Sequence, residues 1–175
     1  MNPEISVVVP VHDEADNVAA LVEEIAAAFA GQSYEMVFVD DRSRDATAAT
    51  LAGLKRRHPE LRVLRHAANA GQSRAVRSGV LAARGEVIVT LDGDGQNPPA
   101  DAPRLVERLR AGPASLALVG GQRTKREDTA AKRWASRVAN GVRKRLLSDQ
   151  ADDTGCGLKA FRRDAFLRLP YFDHL

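Results

Sequence analysis

The sequence predicts an α/β fold in which a mostly parallel sheet carries helices on both faces. Short runs rich in β-branched residues alternate with longer segments whose apolar residues recur at helical spacing. Chains with this alternation form parallel sheets covered by helices, because a crossover between parallel strands usually contains a helix. In addition, acidic residues directly follow three of the predicted strands, and open α/β sheets bind ligands at that edge.

The predicted elements follow one another along the chain in a regular order. The first strand spans 5–9, is rich in β-branched residues and is stopped by Pro10. Asp16 then caps a helix over 17–30, in which apolar residues recur every three or four positions. The remaining predicted elements are strand 36–39, helix 46–58 with Asp45 as its cap, strand 61–64, helix 73–83, strand 87–91, helix 102–110 and strand 116–119.

The composition suits one globular domain. Of the 175 residues, 44% are hydrophobic and 28% are charged, and these shares allow a packed core under an ordinary soluble surface. The formal net charge of +3 is too small to indicate nucleic acid as a partner. Cys156 is the only cysteine, which excludes an internal disulfide and favours a reducing compartment.

The sequence contains no predicted membrane-spanning segment. The apolar run 5–9 is too short for a signal peptide. No stretch reaches the roughly 20 apolar residues that a spanning helix needs. We therefore expect any membrane contact to be peripheral, or to be made by a segment that this sequence does not contain.

Asp92-Gly93-Asp94 directly follows the predicted strand 87–91. Residues two apart in an extended segment point the same way, so both carboxylates can share one cation that offsets their repulsion. Carboxylate oxygens suit Mg²⁺ or Mn²⁺, and Gln96 repeats the spacing and can add a carbonyl oxygen. An ordinary turn explains the local pattern equally well. The position after a buried strand, beside other acidic strand ends, favours the metal site.

Asp40-Asp41 follows the predicted strand 36–39 and has no evident structural role, since Asp45 already caps the next helix. Carboxylates in this position can accept hydrogen bonds from ribose hydroxyls or from a base N–H. NAD-binding Rossmann domains also carry an acid here, but they need a glycine-rich turn after the first strand. Residues 10–14 contain no glycine, which disfavours a dinucleotide site.

Residues 69–73, Asn-Ala-Gly-Gln-Ser, precede the predicted helix 73–83. Helix N-termini attract phosphate, so Gly71 and its neighbours are candidates for contact with a diphosphate. An ordinary loop that ends in a helix cap explains the same residues equally well.

A basic segment follows the predicted strands. Nine Lys or Arg residues and only two acids lie between Gln122 and Arg145. From 130 to 147 apolar residues, beginning with Trp134, recur every four positions, as in an amphipathic helix that lies in a membrane interface. A surface helix that packs Trp134 on the core explains the same pattern. A nucleic-acid patch is disfavoured, because no reader motif accompanies the charge.

Together these residues resemble the family 2 glycosyltransferases with a GT-A fold, and within them the dolichol- or polyprenyl-phosphate sugar synthases. The resemblance runs from Ile5 to the end of the chain and rests on the order of several motifs that are each weak alone. These motifs are 8–14 (VVPVHDE), 38–41 (FVDD), Gly71, 90–99 (TLDGDGQNPP), 121–123 (GQR), 136–140 (SRVAN) and 153–160 (DTGCGLKA).

The resemblance, with the patterns above, implies a role for each motif. The nucleotide-sugar contacts are Pro10, His12, Glu14, Asp40, Asp41, Gly71 and Asp92. The metal ligands are Asp92, Asp94 and Gln96. The contacts to an acceptor phosphate are Arg123, Ser136, Arg137 and Lys159. The catalytic residues are Asp94, Arg123, Arg137, Asp153 and Lys159, with Asp153 where some family members are thought to place a catalytic carboxylate.

The implied reaction is inverting transfer of a sugar from a UDP- or GDP-sugar to a polyprenyl phosphate, with Mg²⁺ or Mn²⁺. We expect it at the cytoplasmic face of the membrane, with peripheral contact and no nucleic acid. Residues 1–175 would form a single domain. In it, 1–121 bind the nucleotide sugar and metal, and 122–175 form an incomplete acceptor-binding half.

The sequence departs from the family pattern at three places. His12-Asp13 stands where Tyr-Asn is common, which leaves the stacking partner of the base open. Arg42 stands where Gly is usual after the paired acids. Family members usually run beyond residue 175, and a missing C-terminal part would expose apolar surface that pairing in a homo-oligomer could cover.

Two alternatives to the transferase remain open. A sugar-1-phosphate nucleotidyltransferase would carry a glycine-rich, basic loop after its first strand, and residues 10–14 are neither. A non-catalytic or degenerate fragment that binds a nucleotide sugar or docks on a membrane would give affinity without product.

Overall fold

The computed structural model describes residues 2–121 and 157–170, in which six strands form one sheet. The strands are β1 (Ile5–Val11), β2 (Tyr34–Asp40), β3 (Leu61–Arg65), β4 (Val87–Thr90), β5 (Leu118–Gly120) and β6 (Lys159–Arg162). Their order across the sheet is β3-β2-β1-β4-β6-β5, and β1 to β4 run parallel. The predicted mostly parallel α/β sheet is therefore confirmed. The sequence patterns missed β6, which pairs antiparallel with both β4 and β5.

Helices cover both faces of this sheet. They are α1 (Val18–Ala28), α2 (Thr47–Leu54), α3 (Gln72–Ala82), α4 (Ala102–Ala111) and the short α5 (Arg163–Leu167), with a 3₁₀ turn at Pro99–Asp101. One hydrophobic cluster joins α1, α2 and α4 to the sheet, and a second joins α3 and Phe166 of α5 to the opposite face. None of the helices in the described ranges is long and apolar enough to cross a membrane.

The central strand β1 shows why two separate hydrophobic clusters form, one on each face of the sheet. Its side chains alternate, so Val7 and Val9 belong to the cluster under α1 while Val8 belongs to the cluster under α3. Helix α3 lies so close that a Cβ at Gly79 would overlap the Val8 side chain. Only glycine at that position allows this approach, which fixes the height of α3 above the sheet.

The prediction that Pro10 ends the first strand is wrong, because β1 continues to Val11. On one side Pro10 stays in register with Val39 of β2. On the other side β4 is paired only as far as Thr90, which lies opposite Val8, so no strand there needs an N–H from Pro10. Proline is tolerated in a strand where its missing donor has no partner to lose.

Neither of the two predicted residues, Asp16 and Asp45, is the cap of its helix. Asp16 does not cap α1, which begins at Val18, and the side chain of Asn17 instead donates to Glu14 at 2.6 Å. Asp45 is not the cap either, because it lies one residue before the N-cap Ala46. Its Oδ1 nevertheless accepts bonds from the N–H of Thr47, the first residue of α2, at 2.9 Å and from the Thr47 hydroxyl at 2.6 Å. Helix α2 nevertheless ends at Leu54, short of the predicted position 58.

Glu35 is the centre of a buried polar network at the amino-terminal end of the sheet. Its carboxylate accepts hydrogen bonds from the Ser6 hydroxyl at 2.7 Å, the Arg62 guanidinium at 2.6 Å and the Arg84 N–H at 2.7 Å. Ser6 in turn accepts from the N–H of Gly85 at 2.9 Å. These bonds tie β1, β2 and β3 to the loop before β4.

We expect Glu35→Ala to lower the free energy of unfolding by about 3 kcal/mol, because it leaves buried donors and a cation without their acceptor. Urea denaturation followed by circular dichroism measures this change. Glu24→Ala removes an exposed glutamate from α1 and should change stability by less than about 0.5 kcal/mol. Equal effects of the two substitutions would contradict the role of the network.

The same network makes stability depend on pH. Burial raises the pKa of the Glu35 carboxyl, but the bonds from Arg62, Ser6 and Arg84 outweigh burial and leave this pKa below its ordinary value of 4.5. The stabilisation is therefore complete above pH 4.5 and is lost as the pH falls through the lower pKa of the folded protein. The stability difference between wild type and Glu35→Ala should accordingly shrink in acid.

Candidate active site

A cleft of about 300 Å³ opens where the carboxyl ends of β1, β2 and β4 meet. Six of the residues predicted from the sequence line it together: Pro10, His12, Glu14, Asp41, Asp92 and Asp94. The other lining residues are Val11, Gln72, Ala75 and Gly93. The parallel strands thus bring residues from three distant segments of the chain to one edge of the sheet, as the sequence patterns predicted.

Asp41 is nearly inaccessible to solvent and holds the loop that leads into α3. Its Oδ1 accepts hydrogen bonds from His66 Nδ1 at 2.7 Å and from the Ala70 N–H at 2.9 Å, and its Oδ2 accepts from the Gly71 N–H at 2.7 Å. Burial raises the pKa of Asp41, but these donors outweigh burial and hold the pKa below its ordinary value. Asp41 is therefore an anion that lines the cleft, and its carboxylate keeps acceptor capacity beyond these three bonds.

His66 was missed by the sequence patterns, although it directly follows β3. Its Nε2 lies 2.9 Å from the Ser78 hydroxyl of α3, and its backbone N–H donates to the Asp40 carbonyl at 2.9 Å. The imidazole therefore bridges Asp41 and α3. One signal in the sequence could have indicated this contact. A histidine directly follows the third strand, and acidic residues directly follow the second strand, so the two can meet if these strands are neighbours in the sheet.

Asp40 has a structural role that the sequence reasoning did not find. It is fully buried, and its Oδ1 accepts a bond from the Ser43 N–H at 2.8 Å. Its Oδ2 lies 3.0 Å from Arg65 Nε, an ion-pair distance at which the angles fall short of a hydrogen bond. Asp40 does not line the cleft. A nucleotide contact at Asp40 stays a prediction. Because Asp40 is buried outside the cleft and bonds the Ser43 N–H, its position favours an indirect role through the loop after β2.

Gly71 is the N-cap of α3 and has a backbone conformation that favours glycine, with a φ of 87°. Its N–H donates to Asp41, and the next residue, Gln72, reaches the cleft. The predicted phosphate contact at this helix start is untested. The loop and cap interpretation is correct in part, because the segment is a turn that Asp41 holds in place.

Two side-chain amides hold Asp92 in position. Gln72 Nε2 donates to Asp92 Oδ1 at 2.8 Å, and Asn97 Nδ2 donates to Asp92 Oδ2 at 3.2 Å. Gly157 packs against the same carboxylate so closely that a Cβ there would overlap it. Gln72 was considered only as part of the segment 69–73 that could contact a diphosphate, and Asn97 was not predicted as a site residue. The sequence spacing did not show that the two converge on Asp92.

Asp94 takes part in the turn that the sequence analysis considered as an alternative to a metal site. Its Oδ1 accepts a hydrogen bond from the Gln96 N–H at 3.0 Å, and Gly95 has a φ of 71°. Asp94 still lines the cleft with Asp92, so the turn and a shared acidic site are compatible. Gln96 is exposed and does not line the cleft, and its role as a metal ligand stays a prediction.

The chemistry of this donor set fits a divalent cation that is shared with a substrate. Within residues 2–121 and 157–170 no group of three or more His, Cys, Asp or Glu residues is arranged to hold a metal. Two carboxylates nevertheless line one cleft. Mg²⁺ is commonly bound through one or two carboxylates together with substrate phosphates and water, rather than by an all-protein cage.

The predicted acceptor-binding residues are placed only in part. Lys159 begins β6 directly opposite Thr90, which puts it at the same edge of the sheet as Asp92. The Thr90 hydroxyl donates to the Gly157 carbonyl at 3.0 Å and fixes the start of β6 there. The remaining predicted residues, Arg123, Ser136, Arg137 and Asp153, lie outside the described residues, as do the basic segment with Trp134 and Cys156.

The sequence matches the family model described as "Glycosyl transferase family 2" over residues 6–169. The undecaprenyl-phosphate 4-deoxy-4-formamido-L-arabinose transferase of Pseudomonas aeruginosa (strain LESB58) is 39% identical over 162 residues, which are 91% of this chain and 47% of the relative. The transferase of the same description from Edwardsiella ictaluri (strain 93-146) is also 39% identical, over 90% of this chain and 49% of its own length. The chain spans about half the length of these curated relatives.

Solved glycosyltransferases share the fold. A Pyrobaculum calidifontis mannosyltransferase in complex with GDP-Man and Mn²⁺ has a TM-score of 0.71 at 22% identity, over 96% of this chain and 47% of its own. Glucosyl-3-phosphoglycerate synthase of Mycobacterium tuberculosis in complex with UDP has a TM-score of 0.77 at 22% identity, over 97% of this chain and 60% of its own. At these identities the likeness shows the GT-A fold and no more.

Removing the amide that holds Asp92 should weaken binding of a divalent cation. We expect Gln72→Ala to lower Mn²⁺ affinity by about tenfold or more, the usual effect of losing a group that orients a metal ligand. Electron paramagnetic resonance of free Mn²⁺ measures this. Gln32→Ala, at an exposed position outside the cleft, is the matched control. Unchanged affinity in Gln72→Ala would show that Asp92 needs no such support.

The contact between Gly157 and Asp92 gives a second prediction. Gly157→Ala should displace the Asp92 carboxylate and reduce Mn²⁺ affinity, because the added Cβ occupies its place. Gly53→Ala is the control, since a Cβ there meets no atom within 4 Å. That control should leave Mn²⁺ binding intact and raise stability by about 0.5–1 kcal/mol through helix propensity. Normal Mn²⁺ binding in Gly157→Ala would refute the assigned packing.

Proposed function

This chain belongs to glycosyl transferase family 2, and we propose that it transfers a sugar from a nucleoside-diphosphate sugar to a polyprenyl phosphate. The observation that carries the proposal is the single cleft that Asp92 and Asp94 share with His12 and Asp41. A nucleoside diphosphate has charged phosphates at one end and a neutral nucleoside at the other. The cleft offers the carboxylates of Asp92 and Asp94 for a cation, and His12 and Asp41 as hydrogen-bonding groups for a nucleoside.

The donor would lie along this cleft. The Asp41 carboxylate would accept a bond from a ribose hydroxyl, and Gln72, which donates to Asp92 at the start of α3, would lie beside the diphosphate. Asp92 and Asp94 would hold Mg²⁺ or Mn²⁺, which as a Lewis acid would offset the charge that the leaving diphosphate gains. The solved neighbours with GDP-Man and Mn²⁺, or with Mn²⁺ and UDP, support this choice of ligands.

The acceptor is proposed from the curated relatives, whose descriptions name undecaprenyl phosphate. A phosphate monoester is largely dianionic at pH 7, because its second pKa is about 6. One of its oxygens would form a bond to the anomeric carbon while the bond from that carbon to the diphosphate breaks, which inverts the configuration. Little help from a general base is then needed, and Asp153 would have a secondary role.

Cations must offset the repulsion between the two anionic substrates. We assign this task to Arg123, Arg137 and Lys159, with Ser136 as an additional donor, because guanidinium groups bind phosphate in bidentate fashion. Lys159 supports the assignment through its backbone position opposite Thr90, two residues before Asp92. The basic segment between Gln122 and Arg145 would add peripheral contact with the inner, cytoplasmic face of the membrane.

Calorimetry with UDP and GDP tests the donor site. We expect one of them to bind in the presence of Mn²⁺ or Mg²⁺, to be released by a chelator, and to lose most of its affinity in Asp94→Ala because a metal ligand is gone. Asp164→Ala removes an exposed aspartate of α5 and should leave binding unchanged. Binding that ignores the chelator and Asp94→Ala would overturn the metal assignment.

Turnover separates an enzyme from a binding module. With the bound nucleotide's sugar as donor and undecaprenyl phosphate as acceptor, product should form, and Arg137→Ala should raise the acceptor concentration needed while sparing donor binding. Donor affinity without product from the folded chain would favour the binding-module interpretation. Loss of donor binding in Arg137→Ala would contradict the role given to Arg137.

A further inference from the structure

His66 touches a wall of the cleft, yet the proposed function assigns it no part. It directly follows β3 and lies between the Asp41 carboxylate, which lines the cleft, and Ser78 of α3. Only 17% of its side chain is exposed. Groups that bind a ligand are commonly held in place by a second layer of hydrogen-bonded side chains. His66 is therefore a candidate for such support of Asp41.

The two ring nitrogens of His66 face different partners. Nδ1 lies 2.7 Å from Asp41 Oδ1. The pKa of Asp41 lies below its ordinary value, so this carboxylate is an anion that only accepts, and Nδ1 must donate. Nε2 lies 2.9 Å from the Ser78 hydroxyl, which can donate to a neutral ring or accept from a protonated one. The bond to Asp41 is thus kept whichever charge the ring carries.

The same order of serine, histidine and aspartate occurs in nucleophilic catalysis, where the serine faces the substrate. Here Ser78 is not among the residues that line the cleft, whereas Asp41 is. The carboxylate is therefore the group that faces a ligand, and the serine anchors the ring on α3. This arrangement suits the holding of Asp41 rather than the activation of a hydroxyl.

The bonds to Asp41 leave room for a ligand and fix where it can bind. In the described part of the chain the other donors to this carboxylate are the backbone N–H groups of Ala70 and Gly71. A carboxylate has about four acceptor sites, so about one remains beyond these three bonds. Without His66, two N–H groups from one short loop would hold the carboxylate, and it could turn.

We propose that His66 is a positioning residue for the donor, because its Nδ1–H holds the Asp41 carboxylate in the orientation that receives the nucleoside. The inference rests on the proposed function, in which Asp41 accepts a bond from the donor. His66 is not among the residues that line the cleft, so it acts through Asp41. Its removal should weaken binding, since a carboxylate that is free to turn has to be ordered when the ligand binds.

Two conservative replacements separate the two ring nitrogens. The amide nitrogen of asparagine can take the place of Nδ1 and donate to Asp41, whereas that of glutamine can take the place of Nε2 and reach Ser78. We would measure binding of UDP and GDP by calorimetry in the presence of Mn²⁺. His66→Ala should lower the affinity of the nucleotide that binds wild type by about tenfold, the usual scale for losing a hydrogen bond to a charged group. His66→Asn should restore most of this loss, and His66→Gln should not.

A double-variant cycle tests whether His66 acts through Asp41. Asp41→Asn should lower nucleotide affinity by itself, because it removes the charged acceptor. Adding His66→Ala to Asp41→Asn should then cost little further affinity. His58→Ala is the matched control, since His58 also contacts a carboxylate, that of Glu23 at 3.1 Å, and does not line the cleft. This control should keep the wild-type affinity.

The outcomes separate failure of this inference from failure of the proposed function. Circular dichroism first establishes that each variant is folded. Unchanged nucleotide affinity in His66→Ala, or equal affinity in His66→Asn and His66→Gln, would overturn the inference and leave the donor site intact. A double variant whose loss is the product of the two single losses would also overturn it, because His66 would then act independently of Asp41.

Two results need a separate reading. If Asp41→Asn does not fold, the comparison of His66→Asn with His66→Gln decides the inference by itself. Absence of UDP and GDP binding to folded wild type would overturn the proposed function, and the inference with it.

Discussion

The carboxylate of Asp41 joins segments that are distant in the sequence and on which the cleft depends. It directly follows β2, accepts a bond from the residue after β3 and holds the two residues before α3 through their backbone N–H groups. A buried anion without these donors would be costly, so the three segments have to converge for the fold to form. The acidic strand end that the sequence suggested as a ligand contact is therefore also the point around which the cleft is assembled.

The cleft also depends on a second carboxylate, that of Asp92. Asp92 is positioned by amides from α3 and from the loop after β4, and by the close packing of Gly157 just before β6. Gln72 of α3 donates to Asp92, while Gly71, the residue just before α3, donates to Asp41, so the start of α3 links the two carboxylates. The place of α3 above the sheet in turn depends on Gly79, which lets α3 lie against Val8.

A groove of about 830 Å³ that shares His12 with the cleft differs from it in charge, because Arg42, Arg44 and Arg65 line it. Asp40 and Asp41 are both engaged in internal contacts, so the acidic strand end presents little free negative charge. The neighbouring loop instead projects Arg42 and Arg44, one of them from a strained backbone position. A surface that looks acidic in the sequence therefore offers mainly hydrogen-bond donors in three dimensions.

The sequence by itself determined the alternation of strands and helices, the sheet edge where the polar residues gather and most of the residues that line the cleft. Those features follow from hydrophobic periodicity and from the rule that parallel strands end on one side, and both can be read locally. Only the tertiary structure decided that β1 continues through Pro10, that β6 enters the sheet antiparallel and that His66, Gln72 and Asn97 meet the two key carboxylates. These outcomes depend on where neighbouring strands stop and on contacts between residues far apart in the chain, which no local pattern encodes.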